Sequence, residues 1–252
     1  MMNKLALESL RFAPVRGERF ATGHGGIDAV LGGGLMRGRL HEVFAGDAGD
    51  TASATGFAAM LGLCAGRSEA GSGELLWLRC DDAERLGGRL YAPGFQELGG
   101  DVRAVLLAVA PDPVQLLRGA ADAARCAGLG AVVVECRGDP RVLDLTATRR
   151  LTLAAERSGV CVLLLRIDAR PMPSAADTRW QVRAAPSLAL EANAPGMPAF
   201  EVELLRQRSG LGGAWRVEWD RERCGFREPA LSGAVVPLPL RGAVAEPIRR
   251  RA

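Results

Sequence analysis

Short apolar segments alternate with helical ones between residues 40 and 166, and this alternation restricts the chain to few folds. The apolar segments read LHEVF, ELLWLRC, VRAVLLAV, AVVVE and VCVLLLR, at residues 40–44, 74–80, 102–109, 131–135 and 160–166. Continuous apolar runs such as AVVVE are typical of parallel strands that are buried on both faces. The helical segments between them supply the right-handed crossovers that parallel strands require. The sequence therefore predicts an α/β fold with a central, mostly parallel sheet.

Local signals place several helix ends. Asp112 followed by Pro113 predicts a helix start, because an aspartate side chain caps backbone N–H groups and proline suits the first helical position. A second helix is predicted to run from about residue 142 to 157. A third is predicted to follow the polar sequence DDAERL and to reach about Tyr91.

The pattern changes after residue 173. Segments 187–191, 199–206 and 214–220 alternate apolar and polar residues with a period of two, and glycine-containing turns join them. This alternation is typical of antiparallel strands with one face exposed to solvent. We expect an antiparallel meander that continues the parallel sheet on its C-terminal side.

The domain organisation follows from these patterns. Residues 1–20 are predicted to be an N-terminal arm, and residues 21–227 a single core domain. Residues 228–252 have Pro and Gly interruptions without periodicity, which predicts a flexible tail. The net charge is +3, of which +2 belongs to the tail, so the rest of the chain is almost neutral. A balance of this kind does not indicate a strongly basic nucleic-acid surface.

The sequence AGDAGDTASATGF, which starts at Ala45, stands where a phosphate-binding loop would stand, between an apolar strand and a small-residue helix. Such a loop requires the pattern G-x-x-x-x-G-K-[ST], in which the lysine reaches the β/γ-phosphates. The chain contains one lysine, Lys4, and its other 31 basic residues are arginine. The loop therefore has the position of a nucleotide site without its essential cation.

Two segments carry a resemblance to a known family. The sequence TGHGGIDAVLGGGLMRGRLHEVF resembles the start of the RecA ATPase core. The later pattern DTRWQV…FEVELLRQRSGLGGAWRVEWD resembles the ImuA family, whose members are RecA-like accessory proteins of damage-induced translesion mutagenesis. The resemblance covers residues 12–227 approximately. It implies a RecA-like, P-loop-type core.

The resemblance also implies partners. ImuA proteins work with ImuB, an inactive Y-family polymerase-like protein, and through it with an error-prone polymerase III alpha-type subunit. RecA itself and weakly bound DNA are further partners that it suggests. The leading hypothesis is a non-catalytic adaptor in the SOS response. The alternatives are an active DNA-dependent ATPase that modulates recombinase filaments, and a damage-induced inhibitor of cell division.

The departures from the RecA pattern favour the adaptor. In an ungapped alignment the lysine position falls on Thr51 and the preceding glycine on Asp50. We call residues 46–51 the 46–51 loop; its remaining candidate residues are Gly46, Asp47 and Gly49. A lost lysine removes charge-assisted hydrogen bonds of about 1.5–3 kcal/mol each, and the two aspartates repel a polyphosphate. We therefore expect no catalytic residues and no nucleotide cofactor.

Two acidic positions have both a functional and a structural interpretation. The resemblance places Glu135 at the acid that supports Mg²⁺, while the alternative is a strand-end acid that pairs with an arginine or caps a helix. The acids at 81–84 stand where the family has its catalytic acid, or they form an acidic first helical turn. Without a triphosphate the structural interpretations are favoured.

Candidate partner or DNA contacts lie mainly in the C-terminal third. Tryptophan can stack on a base or a partner, and arginine binds phosphate and carboxylate groups. The arginines alternate with acids, so a solvated, ion-paired sheet face is the default interpretation. The candidates are Trp180, Arg206, Arg208, Arg223, Arg249, Arg250 and Arg251.

The remaining chemistry-bearing residues predict little. Six cysteines are scattered without a CxxC pair, and the two histidines are His24, in a turn, and His41, expected to face outward on its strand. No metal site is predicted from this set. No apolar run approaches the roughly 20 residues of a membrane span, and the N-terminus does not resemble a signal peptide. We expect a cytoplasmic protein without a membrane partner.

Overall fold

The computed structural model describes residues 17–68, 71–208, 210 and 212–229. The strands are β1 (Arg19–Phe20), β2 (Leu35–Met36), β3 (Leu40–Ala45), β4 (Arg67–Ser68), β5 (Gly71–Ser72), β6 (Glu74–Cys80), β7 (Val105–Ala110), β8 (Leu129–Arg137), β9 (Cys161–Ile167), β10 (Thr178–Ala184), β11 (Ala199–Gln207), β12 (Gly213–Asp220) and β13 (Gly225–Arg227). The α-helices are α1 (Gly25–Val30), α2 (Thr51–Gly66), α3 (Asp81–Gly87), α4 (Ala92–Glu97), α5 (Pro113–Ala123) and α6 (Leu145–Ser158). Single 3₁₀ turns occupy Ala48–Asp50, Val102–Ala104 and Glu191–Asn193.

Nine strands form one sheet in the order β13-β12-β11-β10-β3-β9-β8-β6-β7. The six strands from β10 to β7 are parallel to their neighbours, while β11, β12 and β13 are added antiparallel. The prediction of an α/β fold, with a mostly parallel sheet continued by antiparallel strands, is confirmed. After β9 the chain crosses to the other edge of β3 and forms β10 there. Strand β3 therefore has a parallel neighbour on each edge.

Helices cover the two faces of the sheet unequally. Helix α2 packs on one face, against β3, β8, β9 and β10, in a core that extends to the antiparallel strands. Helices α5 and α6 pack on the other face, in a second core over the parallel strands. All seven residues of β9 are buried, as continuous apolar runs in a two-sided layer require.

Local capping confirms one helix start and moves another. The Asp112 carboxylate accepts the Gln115 N–H at 2.9 Å and Pro113 opens α5, as predicted. Helix α6 begins at Leu145, a few residues after the predicted start, because Asp144 caps it by accepting the Ala147 N–H at 2.7 Å. The prediction of a helix that follows DDAERL and reaches Tyr91 is wrong, because α3 is formed by DDAERL itself and ends at Gly87, before Gly88 with its φ of 76°.

The prediction of a strand at residues 187–191 is wrong. The meander is instead built from β10, β11 and β12, and residues 187–191 belong to the connection between β10 and β11. Both edges of β10 are occupied, one by β3 and the other by β11, so the connecting residues have no strand edge beside β10 to join. A segment with period-two alternation forms a sheet strand only where the edge of another strand is available for hydrogen bonding.

The domain boundaries differ slightly from those predicted. Of the predicted arm, Arg19 and Phe20 form β1, which pairs with β2, and Phe20 is part of the buried core. This pairing requires glycine at position 34, where φ is 113° and a Cβ atom would lie 2.1 Å from the Phe20 carbonyl oxygen. Residues 1–16 of the arm and the tail from residue 230 lie outside the described residues.

Candidate functional site

The 46–51 loop directly follows β3, in the middle of the sheet, and leads into α2. Its centre is a 3₁₀ turn that Asp47 caps, because the Asp47 carboxylate accepts the Gly49 N–H at 2.7 Å. The Asp47 N–H in turn donates to Asp50 Oδ2 at 3.3 Å. Two aspartates therefore satisfy donors within the loop itself.

The loop is also bonded to the end of β10. Asp50 is buried, and its Oδ1 accepts the Ala184 N–H at 2.8 Å. The Gly46 N–H donates to the Val182 carbonyl at 2.8 Å, and the Gln181 side-chain amide donates to the Gly46 carbonyl at 3.3 Å. The Asp50 carboxylate thus receives N–H groups from two segments, as the oxygens of a bound phosphate would.

Several polar groups of the loop are bonded within the protein. The backbone N–H groups of Gly46, Asp47 and Gly49 donate as described, and that of Asp50 donates to the Asp47 carbonyl at 3.2 Å. The hydroxyl of Thr51, at the aligned lysine position, donates to the Ala48 carbonyl at 3.1 Å. A phosphate would have to displace these bonds before it could bind here.

A cation that the sequence did not indicate lies beside the loop. A Cβ atom at Gly46 would be 2.4 Å from Cγ and 3.0 Å from Nε of Arg183, so the Arg183 side chain covers this glycine. Arg183 is exposed, and it comes from β10, more than a hundred residues along the chain. The loop lacks the lysine, as the sequence shows, but one arginine from another strand lies beside Gly46.

Glu135 is buried in a structural ion pair. Its Oε1 lies 2.8 Å from Nη2 of Arg79, and its Oε2 accepts the indole N–H of Trp77 at 2.9 Å. Arg79 further donates to the carbonyls of Gly88 and Ala83, at 2.7 and 3.0 Å. Both carboxylate oxygens are engaged by protein donors, which supports pairing with an arginine over the metal-supporting role.

The acids at 81–84 also have local partners. Asp82 accepts the Ala83 N–H at 2.7 Å within the first turn of α3. Asp81 pairs with Arg85 at 3.2 Å, and Glu84 pairs with Arg89 at 2.9 Å. These contacts support an acidic first helical turn, in which carboxylates stabilise the exposed N–H groups of the helix.

A groove of about 950 Å³ runs along α2 from its first turn and adjoins the end of β10. Buried Trp77, Phe95, Phe200 and Trp219 contribute to its lining, and Glu97 and Arg221 are the charged residues among the described side chains that line it. Tyr91 and Leu190 also line it and are 71% and 50% exposed. Their isolated positions in sequence gave no signal of this groove.

The partner candidates separate into four groups. The prediction that Trp180 stacks on a base or a partner at the surface is wrong. Its side chain is 1% exposed, and its indole N–H donates to the Thr178 hydroxyl at 2.8 Å. Arg206 and Arg208 are exposed and line one cavity together with Arg149, which the sequence did not single out. Arg223 is exposed elsewhere, at the turn between β12 and β13, and Arg249, Arg250 and Arg251 lie outside the described residues.

His41 is fully buried, so the expectation that it faces outward is wrong. Its Nε2 lies 3.0 Å from the Met36 carbonyl and must donate to it, so Nδ1 accepts from the Thr178 hydroxyl at 2.8 Å. Burial lowers the pKa of His41, because the charged imidazolium is poorly solvated there. His24 is buried as well, and its Nδ1 accepts the Ile27 N–H at the start of α1.

The described residues offer neither a metal-binding cluster nor a membrane-spanning helix. Within those ranges no group of three His, Cys, Asp or Glu side chains is arranged to hold a metal ion. None of the described helices combines the length and the apolar character needed to cross a membrane.

Comparison with known proteins adds no identification to this geometry. Neither a scan against protein-family models nor a search of curated proteins found a match.

Proposed function

We propose that this chain is a non-catalytic, RecA-like adaptor of the ImuA type, acting in translesion DNA synthesis in the cytoplasm. The observation that carries the non-catalytic part is the closure of the 46–51 loop by Asp50. A phosphate would compete with a buried carboxylate that is already bonded to Asp47 and Ala184. No lysine is present in the described residues to supply the missing attraction.

The sheet supports the RecA-like part of the proposal. A strand, a glycine-containing loop and a helix follow each other at the centre of the sheet, where β3 has a parallel neighbour on each edge. In open α/β sheets, binding sites form at such points, where successive crossovers run to opposite sides. This arrangement supports a nucleotide-site position inherited from a RecA-like core, in which several of the loop donors now bond within the protein.

The groove along α2 supports a role in binding another protein. Its lining is largely apolar and includes exposed Tyr91 and Leu190. Aromatic and aliphatic side chains around an apolar depression are the residues that anchor protein partners. We assign this groove to the ImuB-like partner, through which an error-prone polymerase III alpha-type subunit would be recruited.

Co-purification with a tagged ImuB-like partner tests the proposal. We expect the unmodified chain to be retained and the Tyr91→Ser/Leu190→Ser variant to lose about tenfold or more in affinity, since two anchors are removed. Leu86→Ser is the matched control, because Leu86 is 69% exposed but does not line the groove. Equal retention of all three proteins would exclude the groove, and no retention of any would exclude the partner.

The rival hypothesis of a DNA-dependent ATPase is tested by phosphate release from Mg-ATP, with and without single-stranded DNA. We expect no turnover above background. Arg183 is the cation beside the loop, so a genuine ATPase would lose turnover on Arg183→Ala and keep it on Arg216→Ala, an exposed arginine two strands away. That result would overturn the non-catalytic assignment.

A further inference from the structure

A second cavity lies on the face of the sheet that α5 and α6 cover, at the edge of the region that these helices cover. Helix α6 packs over β3 and β9, and the outer face of the antiparallel strands beyond it has no helix among the described residues. A cavity of about 320 Å³ lies between α6 and the end of β11. Its wall on the α6 side includes Leu145, Arg149 and Leu153, and its wall on the β11 side includes Arg206 and Arg208.

The cavity carries positive charge that the described residues do not neutralise. In those ranges, neither Arg149 nor Arg208 has an acidic side chain at ion-pair distance, and Arg206 donates to a neutral acceptor, the Ser174 carbonyl, at 3.4 Å. The acid that lines the cavity, Glu156, is already paired with Arg39. Three guanidinium groups thus lie at one small cavity with donors available to an anion.

Apolar side chains stand between these charges. Leu145, Arg149 and Leu153 follow each other at intervals of four residues, so they lie along one face of α6. Leu145 and Leu153 are 51% and 46% exposed, which is high for leucines beside a cavity. Their exposed surface would be removed from water by an aliphatic ligand group.

The composition of the lining discriminates between classes of ligand. Single-stranded nucleic acid is typically held by aromatic side chains on which bases stack, together with a positive groove. The residues that line this cavity include none that is aromatic. Exposed leucines alternating with arginines instead match a segment that offers carboxylates and aliphatic side chains together.

We propose that this cavity binds an acidic peptide segment of a partner protein, in which carboxylates flank an aliphatic anchor. The carboxylates pair with Arg149, Arg206 and Arg208, since the planar guanidinium binds a carboxylate through two parallel N–H groups. The anchor packs on Leu145 and Leu153. The site is remote in sequence from the 46–51 loop and does not depend on the identity proposed for the partner at α2.

A labelled peptide tests this site. The probe is a fluorescein-labelled peptide of seven residues in which two leucines, each flanked by acidic residues, stand among five acidic residues, and the measurement is fluorescence anisotropy with the full chain. We expect saturable binding that weakens about tenfold or more on Arg149→Ala or Arg208→Ala, because each removes charge-assisted bonds. The matched control is Arg150→Ala, an exposed arginine of the same helix that does not line this cavity.

Two further arms make the result decisive. A peptide with both leucines replaced by serine should bind at least severalfold more weakly, and unchanged binding would overturn the anchor. Tighter binding of an oligo-dT of matched charge, lost in the same variants, would assign the cavity to nucleic acid and overturn the proposal. Equal binding by Arg149→Ala and the control would also overturn it. Circular dichroism spectra verify that each variant folds. Co-purification of each variant with the ImuB-like partner is measured as a separate experiment.

Discussion

At the scale of single residues, Glu135 and Arg79 show how one contact separates a structural role from a metal-supporting one. Their strands β8 and β6 are neighbours, and the two residues are register partners, so their side chains meet on the α2 side of the sheet. Both are at most 6% exposed, and Trp77 occupies the second oxygen of the carboxylate. A carboxylate in this arrangement is held by protein donors and has no oxygen left unbonded.

Breaking this pair should be strongly destabilising. We expect Glu135→Gln to lower the free energy of unfolding by about 3–5 kcal/mol, because the buried Arg79 charge loses its partner. The double variant Arg79→Met/Glu135→Gln should recover part of the loss, since no unpaired charge remains. The free energies are measured by urea unfolding.

An exposed pair serves as the control. Asp81→Asn removes the partner of Arg85 on α3 and should cost about 1 kcal/mol or less, because solvent screens exposed charges. An equal cost for Glu135→Gln and Asp81→Asn, combined with stabilisation of the unmodified chain by Mg²⁺ that the Glu135 variant lacks, would instead favour the metal-supporting role.

At the scale of elements, a buried polar chain joins three strands. The Trp180 indole donates to the Thr178 hydroxyl on β10, this hydroxyl donates to His41 on β3, and His41 donates to the Met36 carbonyl at the end of β2. A neutral imidazole accepts the hydroxyl proton of Thr178 at Nδ1, whereas a protonated Nδ1 would leave that proton without this acceptor. The direction of the His41 pKa, lowered by burial, agrees with this geometry.

This arrangement predicts acid sensitivity. The pKa of His41 in the folded state lies below its ordinary value near 6.5, so below about pH 6.5 the unfolded chain binds a proton that the folded chain does not. The free energy of unfolding should therefore be highest above pH 6.5 and fall by up to about 1.4 kcal/mol per pH unit below it, until the folded pKa is reached.

Urea unfolding between pH 5.5 and 7.5 measures this slope. His41→Gln, which keeps hydrogen-bonding groups but does not titrate, should flatten it. His24→Asn keeps a side chain able to cap α1 and serves as the control that retains the slope. An undiminished slope in the His41 variant would show that another group carries the acid sensitivity.

At the scale of the whole molecule, one sheet separates two cores. Cys64 and Cys161 belong to the core under α2, and Cys136 belongs to the core under α5 and α6. Burial raises the pKa of the Cys64 and Cys161 thiols to about 12 and that of Cys136 to about 11. Because the thiolate is the reactive form, these thiols should react only when the core opens.

Thiol labelling therefore reports whether the two cores unfold together. With iodoacetamide and mass spectrometry, we expect exposed Cys126 to react in the native state. Cys64 and Cys136 should become reactive at the same urea concentration if the sheet unfolds as one cooperative unit. Labelling of Cys136 at clearly lower urea than Cys64 would mean that the α5 and α6 side opens independently. Cys126→Ser controls for the native signal.

The sequence by itself indicated five of the six parallel strands, β3, β6, β7, β8 and β9, but not β10, and it located the start of α5 at Asp112 and Pro113. It also determined the absence of a lysine from the 46–51 loop. These features are local: a strand covered on both faces must be apolar along its whole length, and a cap acts on the backbone N–H a few residues away. Such features can be recognised in a short window of residues.

The tertiary structure alone decided which side chains meet. Asp50 bonds to an N–H 134 residues along the chain, Glu135 pairs with an arginine 56 residues away, and Arg149 shares a cavity with Arg206 and Arg208. It also placed Trp180 and His41 inside, and it left residues 187–191 without a strand edge. The physical reason is that hydrogen bonds and ion pairs act over a few ångströms, so partners depend on strand order and register, which periodicity along the chain does not encode.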